Sequence, residues 1–312
     1  MTMKAMRYHS YGATDVLVFE EADRPTAGEG QVVLRVAGAA FNPVDASIRA
    51  GYFPKVFPLV LPHVPCYDVA GVITEVGEGV SGWSIGDAVV AWLPIASPGA
   101  AAEYAVAPAE TLAKAPRTGE LADAAALPSV GLTAWQALFE HIGLKPEQSI
   151  LINGAGGAVG GYAIQLAAQA GAVVTATASA RSRDRVQSYG ADQIIDYTAT
   201  PLQEAVAGQQ FDAVLNLVFL GPEELARLVD LVVDGGAFAN TIPPGLQDIE
   251  RGVRNLQVFG RSDAGQLAEL VSRVDAGELK IHVAQRQPLP ELRAVHEAAA
   301  AGELPGRTVL IP

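Results

Sequence analysis

A short stretch rich in glycine lies between two apolar segments near the middle of the chain. Residues 149–153 (SILIN) are mostly branched and apolar, and glycine follows at 154, 157 and 160. From 158 to 170 apolar side chains recur at the spacing of one helix face. The glycines therefore lie on a strand-to-helix turn, where a missing side chain frees the backbone and lets a phosphate group approach the helix N-terminus.

This turn predicts a dinucleotide site. The spacing is G-x-x-G-x-x-G and not the stricter G-x-G-x-x-G, because position 159 is Val159. A purely structural turn is the alternative, but the strand before it, the amphipathic helix after it and the further strand and helix segments favour a cofactor. The turn residues that we predict to contact the cofactor are Gly154, Gly157, Ala158, Val159 and Gly160.

The end of the next strand indicates which dinucleotide binds. An NAD site usually has an Asp or Glu about 20 residues after the motif, whereas here no carboxylate precedes Asp184 in the stretch TATASARSRD. Ser179, Arg181 and Arg183 stand there instead, and a guanidinium suits the 2′-phosphate of NADP. The sequence therefore predicts NADPH as the cofactor, with a solvated cationic helix start as the alternative.

The rhythm of the chain predicts the elements that hold these residues. Up to about residue 122, short apolar runs separated by Gly and Pro are typical of a twisted antiparallel β domain. From 123 to 265, helix and strand alternate, which favours a parallel sheet covered on both faces. The last part, 266–312, predicts two helices and two strands, at 280–285 and near the C-terminus. These strands fit a parallel order poorly and could return to the first domain.

Composition limits the classes of partner. The chain has 312 residues, a net charge of −13 and one cysteine. The acidic balance argues against nucleic acid, and one thiol excludes an internal disulfide and a multi-thiolate metal site. No stretch approaches the roughly 18 consecutive apolar residues of a membrane span, and the first residues lack the pattern of a secretory signal. We therefore expect a cytoplasmic protein with no membrane partner.

Several segments together resemble the medium-chain dehydrogenase/reductase superfamily, in its zinc-independent quinone oxidoreductase branch with zeta-crystallin. The resemblance covers nearly the whole chain. The segments that carry it are FNPVDASIRAGYF, PCYDVAGVITEVGEGVSGWSIGDAVVAW, AEYAVAP, LPSVGLTAWQAL, INGAGGAVGGYAIQLA, GADQIIDY and GRTVLIP. It implies an α/β protein with a GroES-like β-barrel catalytic domain (1–122 and 266–312) and a Rossmann domain with a doubly wound parallel sheet (123–265).

The resemblance also implies the chemistry. Zinc-bearing relatives carry a Cys where this chain has Asn42, and Gly-His-Glu where it has Cys66, Tyr67 and Asp68. The five histidines are scattered without ligand spacing, so no metal is expected. The implied reaction is zinc-independent transfer of a hydride from NADPH to a quinone or an α,β-unsaturated carbonyl compound (enone). A homodimer joined through the edges of its Rossmann sheets is also implied, with the stretch GGAFANTI as the edge strand.

Within this reading, Asn42 and Tyr52 are the catalytic candidates, because each side chain can donate a hydrogen bond to a substrate oxygen. The alternatives are a helix cap for Asn42 and a half-buried core residue for Tyr52. Phe53, Trp92, Phe219 and Leu93 are predicted to line the substrate pocket.

The remaining cofactor contacts follow from the same reading. Because ligands collect at the carboxyl ends of parallel strands, the stretches 216–218 and 240–242 should border the cofactor. Thr133 is predicted near the nicotinamide, with a helix-interior threonine as the alternative. Arg307 is predicted to contact a phosphate or to be a surface charge. The contacts predicted on these grounds are Thr133, Asn216, Val218, Thr241, Ile242 and Arg307.

Two other functions stay open from the sequence. An enoyl reductase for a thioester or a polyketide tailoring intermediate shares the hydride step, but it should need a basic patch for its carrier, which the acidic balance disfavours. A non-catalytic NADPH-binding protein like the crystallins would not need the polar groups of Asn42 and Tyr52. Fold alone does not separate these functions.

Overall fold

The structure is a computed structural model that describes residues 1–52, 54, 56, 58–242 and 251–312. It divides into two compact units, Met1–Ser129 with Ser262–Pro312 (unit 1) and Val130–Arg261 (unit 2). The first boundary falls later than the predicted 122, because the 3-10 segment Leu121–Ala126 packs directly on unit 1. A Cβ atom added to Gly38 would lie 2.5 Å from the backbone oxygen of Ala122.

The chain forms the following elements. The strands are β1 (Thr2–Tyr8), β2 (Leu17–Asp23), β3 (Gln31–Ala40), β4 (Asp68–Val76), β5 (Ala88–Trp92), β6 (Tyr104–Pro108), β7 (Leu112–Lys114), β8 (Ser149–Asn153), β9 (Val173–Ala178), β10 (Gln193–Asp196), β11 (Phe211–Asn216), β12 (Val232–Asn240), β13 (Arg254–Gln257), β14 (Gln285–Pro288) and β15 (Thr308–Ile311). The helices are α1 (Pro43–Arg49), α2 (Pro128–Trp135), α3 (Ala158–Gln169), α4 (Arg183–Ser188), α5 (Leu202–Ala205), α6 (Pro222–Val229), α7 (Ala264–Asp275) and α8 (Leu292–Ala300).

Unit 1 is built on a mainly antiparallel sheet with the order β14-β15-β3-β4-β5-β7, and β6 also pairs with β3. The closing strand β15 lies antiparallel to β3, so the end of the chain returns to the first domain. The strand predicted at 280–285 is wrong. The strand that forms is β14, which begins at Gln285, where the prediction ends. Parallel pairing with β15 begins only there, with Gln285 opposite Thr308.

Unit 2 is a parallel sheet with the order β10-β9-β8-β11-β12-β13. The chain runs outward from β8 in one direction and from β11 in the other, which is the doubly wound pattern with its switch point between these strands. The predicted edge strand 235–242 is wrong, because β12 pairs with β11 on one side and with β13 on the other. Strand β13 therefore forms that edge.

Each unit has its own apolar core. Met6, Leu34 and Ile73 are fully buried in unit 1, and Leu151 and Phe238 are fully buried in unit 2. Burial of such side chains is the main favourable term in folding, at about 25 cal/mol per Å² of apolar surface. None of the described helices is long and apolar enough to span a membrane.

Candidate functional site

The glycine-rich turn lies at the carboxyl end of β8, as predicted. Gly154 has a φ of +89°, in the left-handed region that favours glycine. A Cβ atom on Gly160 would lie 2.6 Å from the backbone oxygen of Gly154 and from Cα of Ala155. A side chain at Gly160 would therefore push α3 away from the turn.

The start of α3 offers hydrogen-bond donors beside this turn. Gly157 is the N-cap residue and is exposed, and Ala158 and Val159 open the first turn. The first N–H groups of an α-helix have no acceptors within the helix, and they lie at the positive end of its dipole. The turn thus has the donor set and the small side chains that a diphosphate group requires.

The end of β9 carries the residues predicted to choose between NAD and NADP. Ser179 is half-buried, and Arg181 and Arg183 are exposed. The sequence analysis missed Arg185, whose Nη2 donates to the backbone oxygen of Gly156 at 2.7 Å. Arg185 therefore ties α4 to the glycine turn. The R-x-R-x-R spacing was the only signal, and it does not tell these arginines apart.

The first residues after β11 and β12 are held by asparagine side chains. Asn216 Nδ2 donates to the backbone oxygen of Val218 at 2.8 Å, and Asn240 Nδ2 donates to that of Ile242 at 2.6 Å. The Thr241 N–H donates to the backbone oxygen of Asn216 at 3.2 Å. The structure thus joins the strand-end residues that we predicted to border the cofactor, and it adds Asn240, which the sequence analysis named only as the start of a segment.

In unit 1, Asn42 lies at the start of α1 and is only 8% exposed. Its Nδ2 donates to Asp68 Oδ2 at 3.0 Å, and its Oδ1 accepts from Arg307 Nη1 at 2.5 Å. Its backbone N–H donates to Asp45 Oδ2 at 2.7 Å. Asn42 is thus the helix N-cap residue, and its amide is also held by an ion pair.

Asp68 and Arg307 form the centre of this cluster. The buried Asp68 carboxylate accepts from the Ser129 N–H at 2.7 Å, from Ser129 Oγ at 2.5 Å and from Arg307. Arg307 also donates to the backbone oxygen of Phe41 at 3.0 Å and is 7% exposed. It is therefore not the surface charge offered as one alternative. Its contact with a cofactor phosphate stays a prediction. We call Asn42, Asp68, Ser129 and Arg307 the charged network.

Two further buried groups adjoin the charged network. Asp45 Oδ1 accepts from the Cys66 N–H at 3.0 Å, and burial raises the pKa of Asp45 to about 7. Burial, with the nearby carboxylates of Asp45 and Asp68, raises the pKa of the Cys66 thiol well above its usual value. Cys66 has a φ of +68°, in the left-handed region that favours glycine.

These side chains do not fit a zinc ion. Zinc takes three or four N, S or O ligands, whereas Asn42 and Asp68 are already held by hydrogen bonds to each other, to Ser129 and to Arg307. In the described part of the chain, no group of three His, Cys, Asp or Glu side chains could hold a metal ion.

The other predicted site residues are not members of the charged network. Tyr52 is 73% exposed, so it is not the half-buried core residue considered above. Thr133 is half-buried within α2.

Of the predicted pocket residues, Trp92 is half-buried and Phe219 is 76% exposed. Leu93 is packed in the core of unit 1, so its placement in a pocket is wrong. Phe53 lies outside the described residues.

Comparisons with known proteins agree with this architecture. Residues 28–117 match the family described as alcohol dehydrogenase GroES-like domain, and residues 189–310 match zinc-binding dehydrogenase. The chain is 33% identical to a chloroplast envelope quinone oxidoreductase homolog from Arabidopsis thaliana, over 99% of this chain and 98% of that protein. It is 34% identical to an NADPH-dependent alkenal/one oxidoreductase of the same plant, over 92% and 73%.

A solved structure of the quinone oxidoreductase from Coxiella burnetii superposes with a TM-score of 0.89 at 28% identity, covering both chains fully. The chain therefore belongs to the medium-chain dehydrogenase/reductase superfamily, in its quinone oxidoreductase branch. This confirms the predicted fold class, an oxidoreductase with a GroES-like and a Rossmann domain, and a nicotinamide cofactor.

Proposed function

We propose that this protein transfers a hydride from NADPH to a quinone or an enone without zinc. The observation that carries the proposal is the charged network, because Asn42 and Asp68, which stand where zinc-bearing relatives carry Cys and Glu, are bound here to each other and to Arg307. The full-length similarity to a quinone oxidoreductase homolog and the similarity to an alkenal/one oxidoreductase support these acceptors.

Asn42 is the proposed donor to the substrate oxygen. An amide NH₂ group has two hydrogens, and the bond to Asp68 uses one of them. Arg307 bonds to the amide oxygen, so a flipped amide would turn its own donors toward the guanidinium. The orientation is therefore set, and the second N–H can stabilise negative charge on an enolate or hydroquinone oxygen. When bound, the reduced nicotinamide supplies the hydride.

Tyr52 is proposed as the second substrate contact. Its phenol is exposed, so it can donate a hydrogen bond to the acceptor or stack on an aromatic ring. If these assignments are right, Asn42→Ala and Tyr52→Phe should each lower kcat/KM, by about tenfold or more for Asn42→Ala. Full retention of kcat/KM in both variants would contradict the two roles.

The preference for NADPH rests on the end of β9. Arg181 and Arg183 are exposed, so solvent and ligands have access to their guanidinium groups, and no carboxylate is present where an NAD enzyme would bind the ribose hydroxyl. Arg181→Ala and Arg183→Ala should therefore weaken NADPH binding more than NADH binding. Equal dissociation constants for the two nucleotides in the wild-type protein would contradict the preference.

The experiment that tests the function is anaerobic consumption of NADPH with quinones, α,β-unsaturated ketones and enoyl thioesters, with NADH in parallel and products identified by mass. We expect turnover of quinones or enones, and we expect the rate to be the same when a metal chelator is added. Turnover of thioesters alone would favour the enoyl reductase, and tight NADPH binding without turnover would favour a non-catalytic protein.

The homodimer and the cytoplasmic location stay predictions. Light scattering tests the homodimer.

A further inference from the structure

A continuous chain of side-chain hydrogen bonds crosses the carboxyl ends of neighbouring strands in unit 2. Thr177 Oγ1 donates to Asn153 Oδ1 at 2.9 Å, and Asn153 Nδ2 donates to Asn216 Oδ1 at 2.9 Å. Asn216 Nδ2 then donates to Asn240 Oδ1 at 3.0 Å. We call these residues of β9, β8, β11 and β12 the amide chain. All of its donors point in one direction along the sheet edge.

Strand register brings the members of the amide chain together. Asn216 lies directly opposite Asn153 on one side and Asn240 on the other. Neighbouring strands are about 4.8 Å apart, so one amide side chain reaches the next. Asn216, Asn240 and Thr177 are buried, and buried polar groups need partners. Here the side chains of the amide chain are hydrogen-bond partners for one another.

Three members of the amide chain also hold backbone where the cofactor is expected. Thr177 Oγ1 accepts from the Gly154 N–H at 2.9 Å, which sets the first residue of the glycine turn. Asn216 and Asn240 hold the backbone oxygens of Val218 and Ile242. The glycine turn and the loops after β11 and β12 are thus connected through side chains that have no ionisable group.

We propose that the amide chain is a positioning device for the nicotinamide cofactor, because it fixes the positions of these three backbone segments relative to one another. The inference rests on the proposed binding of NADPH to unit 2. Ser179, Arg181 and Arg183 are not members of the amide chain, so breaking it should weaken NADPH and NADH binding by the same factor. The effect should also be independent of pH.

The test uses Thr177→Val, with Thr175→Val as the matched control. Both threonines are buried in β9, two residues apart and therefore on the same face of the strand. Thr177→Val removes the acceptor for Gly154 and the donor to Asn153, so the dissociation constants of NADPH and NADH should each rise about tenfold. Thr175→Val should change neither by more than about twofold, and kcat at saturating NADPH should change less than the dissociation constants.

Two further variants keep the test decisive if Thr177→Val folds poorly. Thr177→Ser keeps the hydroxyl and should bind like the wild-type protein. Asn240→Ala breaks the other end of the amide chain and should weaken both nucleotides, and its combination with Thr177→Val should cost less than the sum of the single effects, because coupled residues are not additive.

Some results would overturn the inference. Equal binding by Thr177→Val and Thr175→Val, a changed ratio of NADPH to NADH affinity in Thr177→Val, or additive effects in the double variant would each exclude a positioning device. If the wild-type protein bound neither nucleotide, the proposed function would fail and the inference with it. The wild-type titration therefore distinguishes the two failures.

Discussion

The charged network of unit 1 and the amide chain of unit 2 both place polar side chains in the protein interior, but they differ in the chemistry of the partners. Both bury polar side chains beside strand ends, and both pair these side chains with one another, although Arg307 Nε in the charged network has no hydrogen-bond partner among the described residues. The charged network contains the ion pair of Asp68 with Arg307 and has a second carboxylate, Asp45, beside it. The amide chain is neutral. The first therefore depends on a balance of charge, and the second only on the direction of donors and acceptors.

The two networks also differ in how the chain assembles them. Asn42 and Arg307 are 265 residues apart in sequence, and β15 brings them together by pairing with β3. The amide chain follows from the register of adjacent parallel strands. Loss of the pairing between β15 and β3 would separate Arg307 from Asn42 and so break the charged network. The asparagines of the amide chain instead lie on strands that pair directly with one another.

The largest expected effect comes from removing the only cation of the charged network. Arg307→Met leaves the buried Asp68 carboxylate without its counter-ion, so the free energy of unfolding should fall by about 3–5 kcal/mol. Urea unfolding measures this loss. Arg307→Met combined with Asp68→Asn should recover part of the stability, because the stranded charge is gone. A double variant as unstable as the sum of its single variants would contradict the ion pair as the cause.

A smaller effect should follow when a charge is placed in the neutral network. Asn216→Asp removes the donor to Asn240 and Val218, so it should lower the free energy of unfolding by about 1–3 kcal/mol. Because a buried carboxylate resists ionisation, this loss should grow as the pH rises. Asn216→Leu, which has a similar shape and no charge, is the control and should show no such growth. The same loss at every pH in Asn216→Asp would argue against this difference between the networks.

The third effect is a pH dependence that comes from Asp45, the carboxylate beside the charged network, and it is spread over several pH units. The pKa of Asp45 is raised to about 7, so between about pH 4 and pH 7 the folded state binds a proton that the unfolded state has lost. Asp45 should therefore make the protein less stable as the pH rises through this range, by at most about 1.4 kcal/mol per pH unit. Asp45→Asn should remove this decline.

Buried histidines act in the opposite direction and must be separated from Asp45. Burial lowers the pKa of His63 to about 4 and that of His296 to about 3. The unfolded state then binds more protons below about pH 6.5, so these groups increase stability as the pH rises. The difference between unfolding curves of the wild-type protein and Asp45→Asn cancels their contribution. A flat difference would show that Asp45 does not titrate in this range.

The parts predicted well from sequence are those that depend on neighbouring residues. The positive φ of Gly154 and the close packing at Gly160 follow from a turn between a strand and a helix. Residue type and spacing carry enough information for such local geometry.

The errors arose where distant segments pair. The edge strand was placed at β12, because nothing in residues 254–257 marks β13 as a further parallel strand. The partners of Arg307 and Arg185 were missed for the same reason, since each is a contact between segments that are separate in sequence. Thr177 and Asn153 look like ordinary strand residues until the register is known.

The sequence by itself determined the glycine turn and the absence of a carboxylate before Asp184, because these are properties of residue type at short spacing, whereas the replaced metal-ligand position at Asn42 is implied by the family resemblance. Only the tertiary structure decided that Asn42 is held by Asp68 and Arg307 and that asparagines from adjacent strands form one chain. Both arrangements depend on strand register, which is set by packing and backbone pairing across the whole sheet.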